Sequence, residues 1–441
     1  MLNWLFTNTP LHYFIQSFWR DEAFSYLLAK KSFVDILVLS AKDFSPPLYS
    51  LLLHIWLKLF GASEVALRSF TFLTYVMVAY VFFLFLTKIL KIKNKWGYVY
   101  TAFFILNPFL NYYAFEARPY MLFALFAFLS FYYLYQFRPV KYFVFTLLGL
   151  LTHYFMFFVL ISQVVFIFTA RSYKKRDKFF QTKTILRPIL FFIPWVVYLL
   201  FQHRFSGEFW IDKPPLETIL QIPAIMYIGY EKNLGAYQNW LIPFSVFLFF
   251  IVIYGVRKIV SKRYTVSTKE KRDLLYLLLS WAFVAPVLTY FISFFYPLFL
   301  PRYLIFSGIG IVLLLVFLLE QIDRKMRWIL FAALFLITLQ FNAIQMYTRA
   351  KAPIRDVVTE IGTQMSKGDL LFVTNELNFH PAQYYLDEKR VFIYGKTYEQ
   401  IPLFVGKVLI PEDKIAPAIP IFPHKAFILK DDLTYDIQSA Y

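Results

Sequence analysis

Long apolar runs govern what this chain can become. A helix needs about 20 predominantly apolar residues to cross the hydrocarbon core of a bilayer. Stretches at 65–88, 97–113, 117–137, 188–202, 237–256, 273–295, 303–320 and 328–346 meet or approach that length. The run 141–170 is too long for one span and splits at His153 into two short helices, which makes ten spans in all. Of the 441 residues, 59% are hydrophobic and only 16% are charged, whereas a soluble domain carries about 25% charged residues. The expected class is an all-α polytopic membrane protein.

The formal charge of +18 raises the question of nucleic acid, and its placement answers it. Cytoplasmic connections of membrane proteins collect Lys and Arg. KILKIKNKW, FRPVK, RSYKKRDKFFQTKTILR, VRKIVSKRYTVSTKEKR and DRKMR fall on alternate connections and hold 23 of the 45 basic residues. The charge is therefore topological, and no nucleic-acid partner is expected. The segments around Asp21, Asn111, His203 and Pro301, with the tail after Tyr347, then face outward. That arrangement requires an apolar helix ahead of Asp21, an eleventh span if counted. The opening residues MLNWLFTNTPLHYFIQSFW are too polar for it, and they have neither the basic start nor the clean core of a cleavable signal. There are no cysteines, which rules out disulfides, thiol nucleophiles and Cys-ligated metal.

The pattern changes after Tyr347. PIRDVVTEIGTQM has helical spacing, while GDLLFVTN, KRVFIYG and HKAFILKDD read as short buried strands. The expected organisation is a transmembrane domain over 1–347, with a first outer loop at 12–63, and a small extracytoplasmic α/β domain over 348–441. No internal repeat or low-complexity tract is present.

Ion-coupled transporters place ionisable groups inside the membrane, where each is costly. Here no acid falls at the middle of a span. The outer surface instead collects Asp21, Glu22, Asp43 and Glu116 with Arg118, His153, Arg204 and Arg302, a mixture suited to a phosphorylated lipid. Each has a plain reading too. Loop acids are usually solvated, Arg302 beside Tyr303 resembles an interfacial anchor, and His153 fits a hydrogen-bonded core position. Glu116 and Arg118 pair readily where one helix starts. PPLYSLLLHIWLKLFG, marginal for crossing, is expected as a helix at the outer surface, begun by Pro46 and Pro47.

The order of these pieces carries more than any one of them. FWRDEAFSYLLAK, KDFSPPLYSLLLHIWLKLFGASEVALRSFTFL, YYAFEARPYMLFAL, LLTHYFMF and PRYLIF follow one another. Together they resemble the membrane-embedded GT-C glycosyltransferases of the family 39 type, which include protein O-mannosyltransferases and lipid A aminoarabinose transferases. The similarity covers most of residues 15 to 310. It implies Asp21 as the catalytic base with Glu22 beside it. It sets Glu116, Arg118 and Tyr120 at the family's second acidic position. FSGEFWIDKPPLETIL looks like an outer loop whose Phe-Trp patch lies near the site. The family often has His before Pro-Pro, and Ser45 stands there instead.

The resemblance implies transfer of a sugar from a polyprenyl-phosphate-linked donor to an acceptor hydroxyl, on a protein, a glycolipid or a polysaccharide. The site is expected on the extracytoplasmic face of the cell membrane, with inversion at the anomeric carbon. Asp21 would accept the hydroxyl proton. Arg302, then Arg118, His153 and Arg204, would meet the donor phosphate, with Tyr120 and Tyr303 completing the donor site. Glu22, Asp43 and Glu116 would orient the sugar, and Glu116 and Asp43 are the possible ligands of a divalent metal. The alternative is a lipid-carrier flippase or transporter without transferase activity. A non-catalytic scaffold or receptor is a third reading.

Overall fold

The computed structural model describes residues 2–171, 173–202, 210–231, 238–261, 266–416 and 418–441. The N-terminal layer is built from short helices: α1 (Leu2–Asn8), α2 (His12–Ile15), α3 (Arg20–Ala29), α4 (Phe33–Lys42) and α5 (Leu48–Phe60). Then follow α6 (Glu64–Leu84), α7 (Asn94–Ile105), α8 (Pro108–Ala114), α9 (Tyr120–Tyr135), α10 (Pro139–Leu150), α11 (Met156–Thr169) and α12 (Lys175–Gln202). The second half contains α13 (Thr218–Ile228), α14 (Gln238–Val260), α15 (Val266–Leu279), α16 (Ala285–Ile292), α17 (Ile305–Leu319) and α18 (Arg324–Thr348).

Among the described residues six helical stretches, against the ten spans expected, are long and apolar enough to cross a membrane: Glu64–Ile89, Lys175–Gln202, Gln238–Val260, Lys269–Ile292, Pro301–Leu319 and Arg324–Thr348. The chain is accordingly an integral membrane protein. The expected run 141–170 does divide, with His153 in the turn between α10 and α11. The run 97–113 forms two helices rather than one. Pro108 stands at the start of α8, and the Asn107 side chain accepts from Leu110 N at 3.1 Å. A proline without an N–H and a capping Asn specify a helix start, and they override apolar continuity.

A second difference is α13, which lies within what the sequence presents as an outer loop. It packs against α14 and α17, and its residues from Gln221 to Ile228 are buried. Gly308 on α17 permits this, since a Cβ there would lie 2.8 Å from Met226 O. Gly229, at φ +69, ends the helix in the left-handed conformation that costs glycine least. Around this contact α17 runs through the middle of the bundle with all of its residues buried.

α5 begins directly after Pro47. It buries Tyr49, Ser50, Leu53 and His54 while Ile55, Leu59 and Phe60 stay exposed.

After α18 come α19 (Ile354–Gln364), α20 (Phe379–Tyr385) and strands β1 (Leu370–Val373), β2 (Val391–Tyr394), β3 (Ile415–Ala416), β4 (Ala426–Leu429) and β5 (Tyr435–Gln438). The sheet order is β3-β2-β1-β4-β5. Only the β4–β5 pair is antiparallel, and Leu371 sits in register with Val391 on one side and Phe427 on the other. Strands buried on both faces read as the continuous apolar runs LLFV and AFIL.

Candidate active site

The first turn of α3 holds both adjacent acids, where a helix N-terminus favours negative charge. Their surroundings differ. Glu22 is fully buried, and Arg68 grips it with two 2.8 Å hydrogen bonds, Nε to Oε1 and a terminal nitrogen to Oε2. Lys351 Nζ lies 2.6 Å from Oε2, and Ala117 N donates to Oε1 at 3.0 Å. Burial pushes the Glu22 carboxyl up, but Arg68 and Lys351 outweigh it and bring it down to about 2. Arg68 also donates to the carbonyls of Phe14, Gln16 and Ser17, which fixes the extended segment before α3.

Asp21 faces a different set of groups, and 15% of its side chain is exposed. Arg20 Nε donates to Oδ1 at 2.8 Å, and a terminal nitrogen of Arg118 is 4.0 Å from Oδ2. Arg118 donates to the Asp21 carbonyl at 3.1 Å and to Ser25 Oγ at 3.2 Å. Burial raises the Asp21 carboxyl, yet Arg118, Arg20 and Arg302 together hold it below 3.8. It is an ionised carboxylate at neutral pH.

Arg302 stands in the 3₁₀ turn Pro301–Leu304 at the head of α17. Its guanidinium carbon is 5.7 Å from the Trp19 ring and 5.6 Å from the Trp210 ring, within cation–π range. A terminal nitrogen lies 3.3 Å from Glu231 Oε2, while Tyr113 donates to Glu231 Oε1 at 2.6 Å. Arg118 lies over Tyr120 at 5.8 Å, and Tyr303 packs 5.0 Å from His153 and 6.1 Å from Tyr120. Arg118 and Arg302 each keep a buried Nε with no hydrogen-bond partner among the described residues.

Burial governs the protonation of three expected residues. His153 accepts from Phe155 N through Nδ1 at 3.2 Å, and burial and Arg118 bring it down to about 3, so it adds no positive charge. Asp43, at the C-terminus of α4 and bonded to Ser45, is pushed up to about 7 by burial against the pull of Arg118. Burial does the same to Glu116, again to about 7, although Lys351 opposes it. Among the described residues no three His, Cys, Asp or Glu side chains converge as a metal set. Arg204 lies outside the described residues.

Lys351 and Glu231 carry no signal in the sequence. Arg68 left one, an arginine embedded in the apolar run EVALRSFTF. Intramembrane charges face protein interiors and partners.

No family model and no curated protein matches the sequence. Solved structures do. The apo crystal structure of ArnT from Cupriavidus metallidurans superimposes with a TM-score of 0.52 at 11% identity, over 97% of this chain and 90% of that one. The fold is of the GT-C type. The same ArnT bound to undecaprenyl phosphate gives 0.48 at 11% identity, over 96% of this chain and 91% of that one. An oligosaccharyltransferase from Archaeoglobus fulgidus in the apo form gives 0.49 at 11% identity, over 86% of this chain and 61% of that one. The superposition on apo ArnT shows a shared fold, and chemistry has to be argued from the side chains.

Proposed function

We propose that the chain is a GT-C glycosyltransferase of the family 39 type. It moves a sugar from a polyprenyl-phosphate-linked donor to an acceptor hydroxyl, at the extracytoplasmic face of the membrane. The observation that carries this reading is one ionised carboxylate, Asp21, in the field of Arg118 and Arg302, whose Nε donors have no partner among the described residues.

In the reaction the acceptor oxygen attacks the anomeric carbon, and the bond to the carrier phosphate oxygen breaks with its electron pair. The hydroxyl proton passes to Asp21, and the phosphate leaves bearing added negative charge. One displacement inverts the anomeric configuration. General-base assistance contributes about 10²- to 10⁴-fold, and the lowered pKa of Asp21 keeps it deprotonated across the neutral range. Arginine meets phosphate with a planar fork of donors. Arg302 is the first phosphate ligand, held by Trp19, Trp210 and Glu231, with Arg118 second.

His153, Tyr120 and Tyr303 form a neutral aromatic wall against which a sugar ring packs. Asp43 and Glu116 line the sugar side. Glu22 is a support for the helix that presents Asp21.

The test is purified protein with several polyprenyl phosphate sugars. Release of polyprenyl phosphate together with labelling of an acceptor is the expected result, and Asp21→Asn removes it with the fold intact. Full transfer by that variant would sink the base assignment. Lipid movement across vesicles without sugar transfer would favour a flippase instead.

A further inference from the structure

We infer that Lys351 is a positioning residue for Asp21, and that through it the C-terminal α/β domain completes the active site. The inference rests on the transferase reading above. Lys351 lies in the connection between α18 and α19, and its side chain is 8% exposed. It touches Glu22 rather than Asp21. The Glu22 carboxylate joins four segments: the start of α3, Arg68 on α6, Ala117 before α9, and Lys351 from beyond the last long helix. Ala117 adjoins Arg118, which in turn donates to the Asp21 carbonyl and Ser25. Lys351 therefore fixes both the helix that carries Asp21 and the turn that carries its arginine neighbour.

Other contacts from the same domain converge on that helix and its approach. α20 packs on α3. Tyr385 Oη accepts from Phe18 N at 2.6 Å and donates to Glu64. Arg355 donates to the Ile15 carbonyl at 3.0 Å and to Glu64 Oε2 at 2.7 Å. Lys30, just past the end of α3, pairs with Glu388 at 2.7 Å. A domain attached only as a surface appendage has no need to bury a lysine, which is costly without a paired carboxylate. Arg68 alone already neutralises Glu22. The second cation makes sense where the orientation of the carboxylate has to be unique.

The experiment compares the full-length protein with Lys351→Met and Lys351→Arg by two readouts. Hydrogen exchange followed by mass spectrometry should be about ten-fold faster over residues 18–30 in Lys351→Met, with β1 (Leu370–Val373) unchanged. With a polyprenyl phosphate sugar, kcat should fall by about 10²-fold, while the donor KM stays within about two-fold. Lys351→Arg should restore most of both. Wild-type exchange and kcat in Lys351→Met, an effect confined to KM, or no recovery with Arg would overturn the inference.

Lys351→Gln replaces the Met variant if that protein does not fold. If both neutral variants fail to fold while the Arg variant folds, the charge serves folding as a whole and the positioning role is overturned. If the wild type transfers no sugar, the transferase reading fails, yet the exchange comparison still decides whether Lys351 orders α3.

Discussion

Glu22→Gln should cripple the fold while Asp21→Asn, one residue away, should not. Glu22 is fully buried, and its carboxyl lies at about 2 against 4.5 ordinarily. That difference corresponds to about 3 kcal/mol of stability at neutral pH. Breaking a buried pair by neutralising one member costs about 3–5 kcal/mol, because Arg68 and Lys351 are left without their shared anion. At roughly 2 °C per kcal/mol the melting temperature should fall by about 6–10 °C. Asp21 keeps 15% exposure and meets Arg20 at 2.8 Å and Arg118 at only 4.0 Å, so neutralising it should cost less than neutralising Glu22.

The assay is a thermal scan of detergent-purified protein by tryptophan fluorescence. The sign with pH follows from the lowered carboxyl: its stabilisation is complete above pH 4.5 and disappears as pH falls through about 2. The deficit of Glu22→Gln should therefore be smaller at pH 3 than at pH 7. Equal losses in the two variants, or a Glu22→Gln midpoint matching wild type at pH 7, would refute the assignment of Glu22 to structure.

Arg302→Met should reduce kcat/KM by about 10²- to 10³-fold, and Arg302→Lys should recover only part of it because the planar fork is lost; an unchanged rate removes Arg302 from the phosphate site. Asp43 should act on stability in the opposite sense to Glu22. Its carboxyl rises from 3.8 to about 7 in the fold, so the folded state binds a proton that the unfolded chain has released, and stability falls as pH rises between those values. Asp43→Asn should thus raise the midpoint at pH 8 and give no gain below pH 4; a gain at both pH values would show another cause. The absence of cysteine makes single-Cys labelling direct. Ser45→Cys and Lys367→Cys should react with an impermeant reagent from outside intact cells and Lys175→Cys should not, and labelling of residues 45 and 175 from one side would overturn the membrane arrangement.

What the sequence conveyed well was repetitive: apolar length and the change from long helices to short strands. Those signals extend over many residues, so a few polar interruptions do not erase them. Where one or two residues decide, legibility failed. Pro108 and Asn107 divided an apolar run into two helices. Gly308 admitted α13 into the bundle from a segment that reads as a loop. The order of the motifs puts Asp21, Arg118 and Arg302 forward as candidates; Arg118 lies 4.0 Å from Asp21, and the Arg302 charge also acts on that carboxylate. Lys351 and Glu231 were not readable, because each acts through a partner more than a hundred residues away and neither spacing nor periodicity records such a pairing.

The two adjacent acids illustrate why local sequence cannot assign such roles. Successive helical residues point about 100° apart, so Asp21 and Glu22 must meet different neighbours whatever the fold. Which becomes a poised base depends on where the cations fall. Arg68 and Lys351 enclose Glu22 from the interior and leave it no free oxygen for substrate. Arg20 and Arg118 flank Asp21 from the partly exposed side and leave it ionised and reachable. Exchanging the roles would require moving cations on α6 and beyond α18, so a swap of Asp21 and Glu22 should not restore activity even though composition and net charge are unchanged. The swapped chain would carry the longer carboxylate where the acceptor must fit and the shorter one where two cations converge. An Asp21→Glu, Glu22→Asp double variant with wild-type transfer would mean that the pair acts as a loose patch of charge.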